Sequence, residues 1–134
     1  MVWPVLQVVI PETLGTAFVV VRGAFEECGL KIENPDNSKV STWGVDGDQK
    51  NVAAGDLSSE VEGGKITNIQ FWRTAGDDVF VAWKKEVRGC VFSIYLDGVD
   101  RNVATRIVSK FTEIVLVKYR LKLANGEALA IVFE

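Results

Sequence analysis

The chain has 134 residues, 48% of them hydrophobic and 25% charged, which suits one globular domain and excludes a disordered tail, a disulfide-rich mini-protein or a multidomain enzyme. It contains no histidine, so Ser-His-Asp and Cys-His catalysis and every histidine-built zinc site are excluded, and two cysteines cannot make a four-thiolate site. A formal net charge of −3 and a pI near 5.1 argue against a nucleic-acid partner.

Val5 to Ile10 is an apolar, partly β-branched run between Pro4 and Pro11 and predicts a buried strand. The residues ahead of it lack the positive region of a secretory leader, and no apolar stretch approaches the roughly 20 residues that span a bilayer, so a cytoplasmic protein away from membranes is expected. Pro11, Glu12 and Thr13 suit a helix start, and Leu14, Ala17, Phe18, Val21, Phe25 and Cys28 follow helical spacing up to Gly29. Leu30 to Glu33 is expected to return as a short strand, completing a β-α-β opening.

Residues 34–64 are polar and broken by glycines. Lys39 to Val45 predicts a strand carrying Trp43, and Asn51 to Glu62 a short helix or none. So long a loop in a small domain is either functional or conceals a further element. From Glu26 to Glu62, nine carboxylates stand against Lys31, Lys39 and Lys50, so this segment holds −6 and the rest of the chain +3. Such an excess is either an ordinary solvated face or a surface that steers a basic partner. Asp46, Asp48, Asp56 and Glu60 are the candidate contacts. Asp46-Gly47-Asp48 is not a calcium loop, because Lys50 and Leu57 fall where an EF-hand needs an oxygen ligand and a bidentate glutamate.

Lys65 to Arg73, Val79 to Val87 and Cys90 to Asp97 alternate as an antiparallel meander turning at Ala75–Asp78 and Arg88-Gly89. Pairing Thr74 with Val79 would place Trp72, Trp83 and Tyr95 on the face away from the helices and Phe71 and Phe80 beneath them. The exposed aromatic face would be covered by residues 34–64, by a second subunit or by a partner. A register slip of one residue would exchange the faces. Asp97 and Asp100 offer N-caps to a second helix with the stripe Val103, Ile107, Phe111, Ile114 and Val115, running to about Lys118. Leu121–Leu123 and Glu127–Phe133 flank Asn125-Gly126, a two-residue turn signal, so a terminal hairpin or strand is expected.

Together these elements give a single α+β domain over residues 1–134, a two-layer sandwich of a mostly antiparallel sheet with two amphipathic helices on one face. No phosphate-binding glycine motif is present, Lys84, Lys85 and Arg88 form only a small basic patch, and no catalytic residue, metal or cofactor is assigned. Cys28 and Cys90, 62 positions apart, are expected to be buried thiols, with a disulfide left open by their even count.

The short acidic profile, the buried strand ahead of an amphipathic helix, and Val91-Phe92-Ser93-Ile94-Tyr95-Leu96-Asp97-Gly98 leading into a second helix resemble the small bacterial immunity proteins that neutralise polymorphic or contact-dependent toxins. That resemblance implies a cytoplasmic, non-catalytic inhibitor that occludes a toxin's active site. It carries over no residue roles. The expected partner is another protein, of basic character, engaged through Asp46, Asp48, Asp56 and Glu60 with Trp72, Trp83 and Tyr95. The alternatives are a small-molecule-binding or weakly enzymatic domain, with a ligand between residues 34–64 and the aromatic face near Trp43, Trp72, Trp83 and Asp97, and a homodimer burying that face.

Overall fold

The computed structural model describes residues 2–123 and 125–134. Strand β1 (Pro4–Ile10) leads into helix α1 (Leu14–Glu27), which buries Leu14, Ala17, Phe18, Val21, Ala24 and Phe25. Gly29 ends α1 at φ +84°, with Leu30 N–H donating to Phe25 C=O and Gly29 N–H to Glu26 C=O. This is the left-handed turn that glycine adopts without steric cost.

Leu30–Glu33 does not close a β-α-β unit. Lys31 and Trp72 exchange backbone hydrogen bonds of 2.8 and 2.7 Å, and Glu33 bridges Val40, so the segment lies along a different strand. Leu30 and Ile32 go into the core.

Strands β2 (Val40–Trp43) and β3 (Gln49–Val52) form a separate two-stranded hairpin, closed by Gly44 N–H donating to Asp48 C=O. The second strand is the element concealed in the polar segment. Its residues Gln49-Lys50-Asn51-Val52 are mostly exposed, so no hydrophobic alternation marks them. A 3-10 turn (Ala54–Asp56) then leads to a short third helix, α2 (Leu57–Glu62), which packs on α1 through buried Leu57 and Val61.

The meander is β4 (Asn68–Thr74), β5 (Asp77–Glu86) and β6 (Gly89–Tyr95). Helix α3 (Arg101–Glu113) follows, with Asp100 Oδ1 accepting from Val103 N–H at 3.0 Å as the N-cap. It continues into a π turn (Ile114–Lys118), where Tyr119 N–H reaches Ile114 C=O. The last strand is β7 (Leu129–Phe133). The main sheet has the order β4-β5-β6-β1-β7 and every adjacent pair is antiparallel. The fold is an α+β sandwich of two layers, and among the described residues the short α2 joins the two expected amphipathic helices.

The terminal hairpin does not form among the described residues. Leu123 N–H turns back to Tyr119 C=O, and β7 joins β1 instead. A hairpin standing alone is marginal in water, whereas the free edge of β1 offers an apolar strand a full ladder.

The β4–β5 register also departs from expectation. Thr74 faces Asp77 across a tight turn, Trp72 faces Asp78, and Phe71 rather than Thr74 faces Val79, with Arg73 as the extra residue of a bulge. Because side chains alternate, the shift exchanges Phe80 and Trp83. Trp83 faces the helices, 5.5 Å from Phe18 and 5.9 Å from Phe92. Phe25 stacks on Phe71 at 4.3 Å and meets Phe111 edge-on at 5.5 Å, joining α1, the sheet and α3 in one core.

Candidate interaction face

The helices cover one side of the main sheet, and the other side is open. Alternation from the core residues places Asn68, Gln70 and Trp72 of β4, Asp78, Phe80 and Ala82 of β5, Val91, Ser93 and Tyr95 of β6, and Val5, Gln7 and Val9 of β1 on the open side. Phe80 and Tyr95 are direct cross-strand partners with ring centroids 5.6 Å apart, both half-buried. Val5 and Val9 on this side are buried. The Tyr95 hydroxyl lies 3.5 Å from Glu134 Oε1, and burial, with the adjacent carboxylate, raises its pKa.

The β2–β3 hairpin borders this face and packs against β4. Trp43 N–H donates to Asn68 Oδ1 at 2.7 Å, Asn68 Nδ2 donates to Trp43 C=O at 2.9 Å, and Thr42 Oγ1 donates to Asn68 C=O at 2.7 Å. The Trp43 indole N–H donates to Gln70 Oε1 at 3.1 Å, and Gln70 Nε2 donates to Asp78 Oδ2 at 2.7 Å. This chain of side chains carries order from the hairpin onto the open side of β5. The hairpin of segment 34–64 therefore borders the Phe80–Tyr95 pair, while Asn34, Pro35 and Ser38 lie beside Trp72.

The seven candidate contact residues are divided among five places. Tyr95 is on the open face. Trp72 shares that side of the sheet by alternation but is only 8% exposed, beside Lys31, Glu33, Asn34, Pro35, Ser38 and Arg73, with which it lines a cavity of about 380 Å³. Its indole N–H is buried with no hydrogen-bond partner among the described residues. Trp83 belongs to the core and has no place in an exposed patch.

The acidic residues divide as well. Asp46 and Asp48 form the β2–β3 hairpin tip, where Asp48 N–H donates to Asp46 Oδ1 at 3.2 Å and holds the Asp46 carboxyl below the usual carboxylate range. Asp56 and Glu60 belong instead to the start of α2, in the helical layer. No hydrogen bond or ion pair among the described residues links the two pairs.

Missing from the sequence-level set are Trp43, Gln70, Asp78 and Phe80 as one connected group. The contact of Gln70 with Trp43 spans 27 residues and has no local signature.

Cys28 and Cys90 are free and buried, and desolvation raises both thiol pKa values. Cys28 follows the end of α1, whereas Cys90 pairs with Ile10 just before its start. Fourteen helical residues separate these ends by roughly 20 Å, well beyond disulfide reach. No cluster of metal-ligating side chains occurs among the described residues, and no described helix is long and apolar enough to cross a membrane. No family model, curated protein or solved structure matches the chain.

Proposed function

We propose that this chain is a non-catalytic protein-binding domain of the bacterial toxin-immunity type, which occludes the active site of a basic partner. The observation that carries this function is the open sheet face, where Phe80 and Tyr95 form a half-buried aromatic pair with no helix over them. Trp43 and the Asp46/Asp48 tip stand at the border of the same face. Aromatic rings provide the rigid contact area from which interface hot spots are built, and nearby carboxylates steer a cationic partner. Phe80 and Trp43 take the places in this surface that Trp83 and Trp72 lack the exposure to fill. Asp56 and Glu60, on α2, would meet the partner only if it wraps around the hairpin. A cytoplasmic location goes with this function.

The test is capture followed by rescue. Native protein, the Phe80→Ser/Tyr95→Ser variant and the Asp46→Asn/Asp48→Asn variant are used as bait in lysate of the source organism. The expected result is a basic protein retained by the native chain and lost with both variants. Expressed alone, that protein should arrest growth, and co-expression of the native chain should restore it. A partner held equally by all three baits, or one whose expression is harmless, would overturn the proposal.

A second function class has one specific observation in its favour. The cavity beside Trp72 is lined by Lys31, Asn34, Pro35, Ser38 and Arg73, polar groups around an aromatic wall, as in a small-molecule site between the polar segment and the sheet. Native mass spectrometry distinguishes the classes: a small molecule carried through purification and lost in Trp72→Phe supports the ligand site, and a bare chain counts against it.

A further inference from the structure

The two edges of the main sheet are treated differently. On β4 the outward-facing backbone is engaged, since Trp72 exchanges two hydrogen bonds with Lys31 and Asn68 C=O accepts from Thr42 Oγ1. On β7 it is bare. The ladder with β1 contains the mutual bonds of Trp3 with Glu134 and the bond from Val9 N–H to Ala128 C=O, which fixes its alternation. Even-numbered residues of β7 turn their backbone groups toward β1, so Leu129, Ile131 and Phe133 turn theirs outward. Three N–H and three C=O groups therefore stand in a row with no partner among the described residues.

Native proteins protect such an edge with lysine, proline or a bulge, and β7 has none of these. From Ala128 to Phe133 the sequence is Ala-Leu-Ala-Ile-Val-Phe, with no charge, and its pairing with β1 shows no register shift. Ile131 is 48% exposed and Phe133 65%.

We propose that β7 pairs antiparallel with β7 of a second copy of this chain, about a two-fold axis at Ile131, to make one continuous ten-stranded sheet. The strand is self-complementary in this register. Ile131 faces its own copy, Leu129 faces the copy's Phe133, and the six outward backbone groups of each chain find six partners in the other. Residues paired across antiparallel strands share a face, so both copies of Leu129, Ile131 and Phe133 gather on the helix side. Glu134 falls opposite Ala128 of the copy, which keeps like charges apart. A heterologous strand could satisfy the backbone equally well, but it would have to supply apolar side chains in the same alternation, which a second copy does by symmetry. The aromatic open face stays free and is duplicated.

Sedimentation and native mass of the full chain, followed over roughly 1–100 µM, test this. The mass should rise toward twice 14.8 kDa with concentration. Ile131→Pro removes an outward N–H without touching the β1 ladder and should weaken the dimer at least tenfold. Ile131→Lys should leave a folded monomer at every concentration, with an unchanged circular dichroism spectrum. Under mild oxidation Ile131→Cys should cross-link to its copy, because paired Cα atoms on the axis lie about 5.5 Å apart. Phe133→Cys should not, because the two copies of position 133 would be about 13 Å apart. If the lysine variant fails to fold, the cysteine pair decides. A native chain that stays monomeric at about 100 µM would overturn the proposal. So would cross-linking at 133 rather than 131, or a dimer that survives both Ile131 variants but is lost in Tyr95→Ser.

Discussion

Gln70 accepts a hydrogen bond from the Trp43 indole and passes one to Asp78, so a single amide side chain links the β2–β3 hairpin to two strands of the main sheet. Gln70→Ala leaves both Trp43 N–H and Asp78 to water. Since both are partly accessible, the expected cost is about 1 kcal/mol in urea unfolding. Trp43 is the local reporter: its emission should shift to the red and become more readily quenched while the global fold persists.

Collisional quenching of the native protein should separate the four tryptophans into two classes. Trp3 and Trp43 are 45% and 38% exposed, whereas Trp72 and Trp83 are each 8% exposed. Acrylamide should therefore quench the first two and spare the others, and Trp3→Phe/Trp43→Phe should remove most of the quenchable signal. The buried pair should differ in stability effect. Trp83→Phe opens a cavity against Phe18 and Phe92 and should cost about 2 kcal/mol. Trp72→Phe also removes a buried N–H that has no partner among the described residues, a relief that offsets part of the lost packing, so its cost should be about 1 kcal/mol or less.

The contrast between those two tryptophans also marks how far the sequence could be read. Elements with a strong period were legible: β1 between its prolines, α1 up to Gly29, the meander and α3. The β4–β5 pairing failed on an odd shift of register, with Phe71 rather than Thr74 opposite Val79. The bulge at Arg73 leaves each strand's alternation intact but changes which residues of β4 and β5 meet, and no local pattern records that. Strand β3 escaped because its exposed polar residues pair only with β2, with no buried face to impose alternation. Likewise Asn125-Gly126 is a genuine turn signal, yet the strand after it found β1, because partner choice is a tertiary matter. For the interaction face, Tyr95 was legible as an open-face residue and the acidic excess as a composition. The separation of Asp46 and Asp48 from Asp56 and Glu60 follows only from where α2 packs.

Between the two acids offered as caps for α3, the structure selects Asp100, whose carboxylate accepts from Val103 N–H. Asp100→Ala should lower stability by about 1 kcal/mol, and Asp100→Asn or Asp100→Ser should recover most of the loss. Asp97→Ala, which removes no cap, should stay within about 0.5 kcal/mol of the native protein. Thermal or urea unfolding of the four variants checks this directly, and equal losses at both positions would contradict the capping geometry.

At the far end of the same helix, the Tyr119 hydroxyl donates to Glu12 Oε2 at 3.3 Å while Lys122 Nζ donates to Glu12 Oε1 at 3.4 Å. Tyr119 is 1% exposed, and burial together with the Glu12 charge pushes its pKa up to about 12 from 10. A folded-state pKa above the unfolded one means the unfolded chain releases this proton first. The associated stability is therefore fully present below pH 10 and declines as pH rises from 10 through 12. The loss expected from this group over that interval is about 2 kcal/mol, and the burial of Tyr95 adds a smaller loss of the same sign. Tyr119→Phe cannot titrate, so its unfolding free energy should fall less steeply between pH 9 and 11 than that of the native protein. At pH 7 the same variant should be weaker by about 1 kcal/mol, because Glu12 loses a donor. Parallel curves for the two proteins across the alkaline range would show that Tyr119 does not carry the shift.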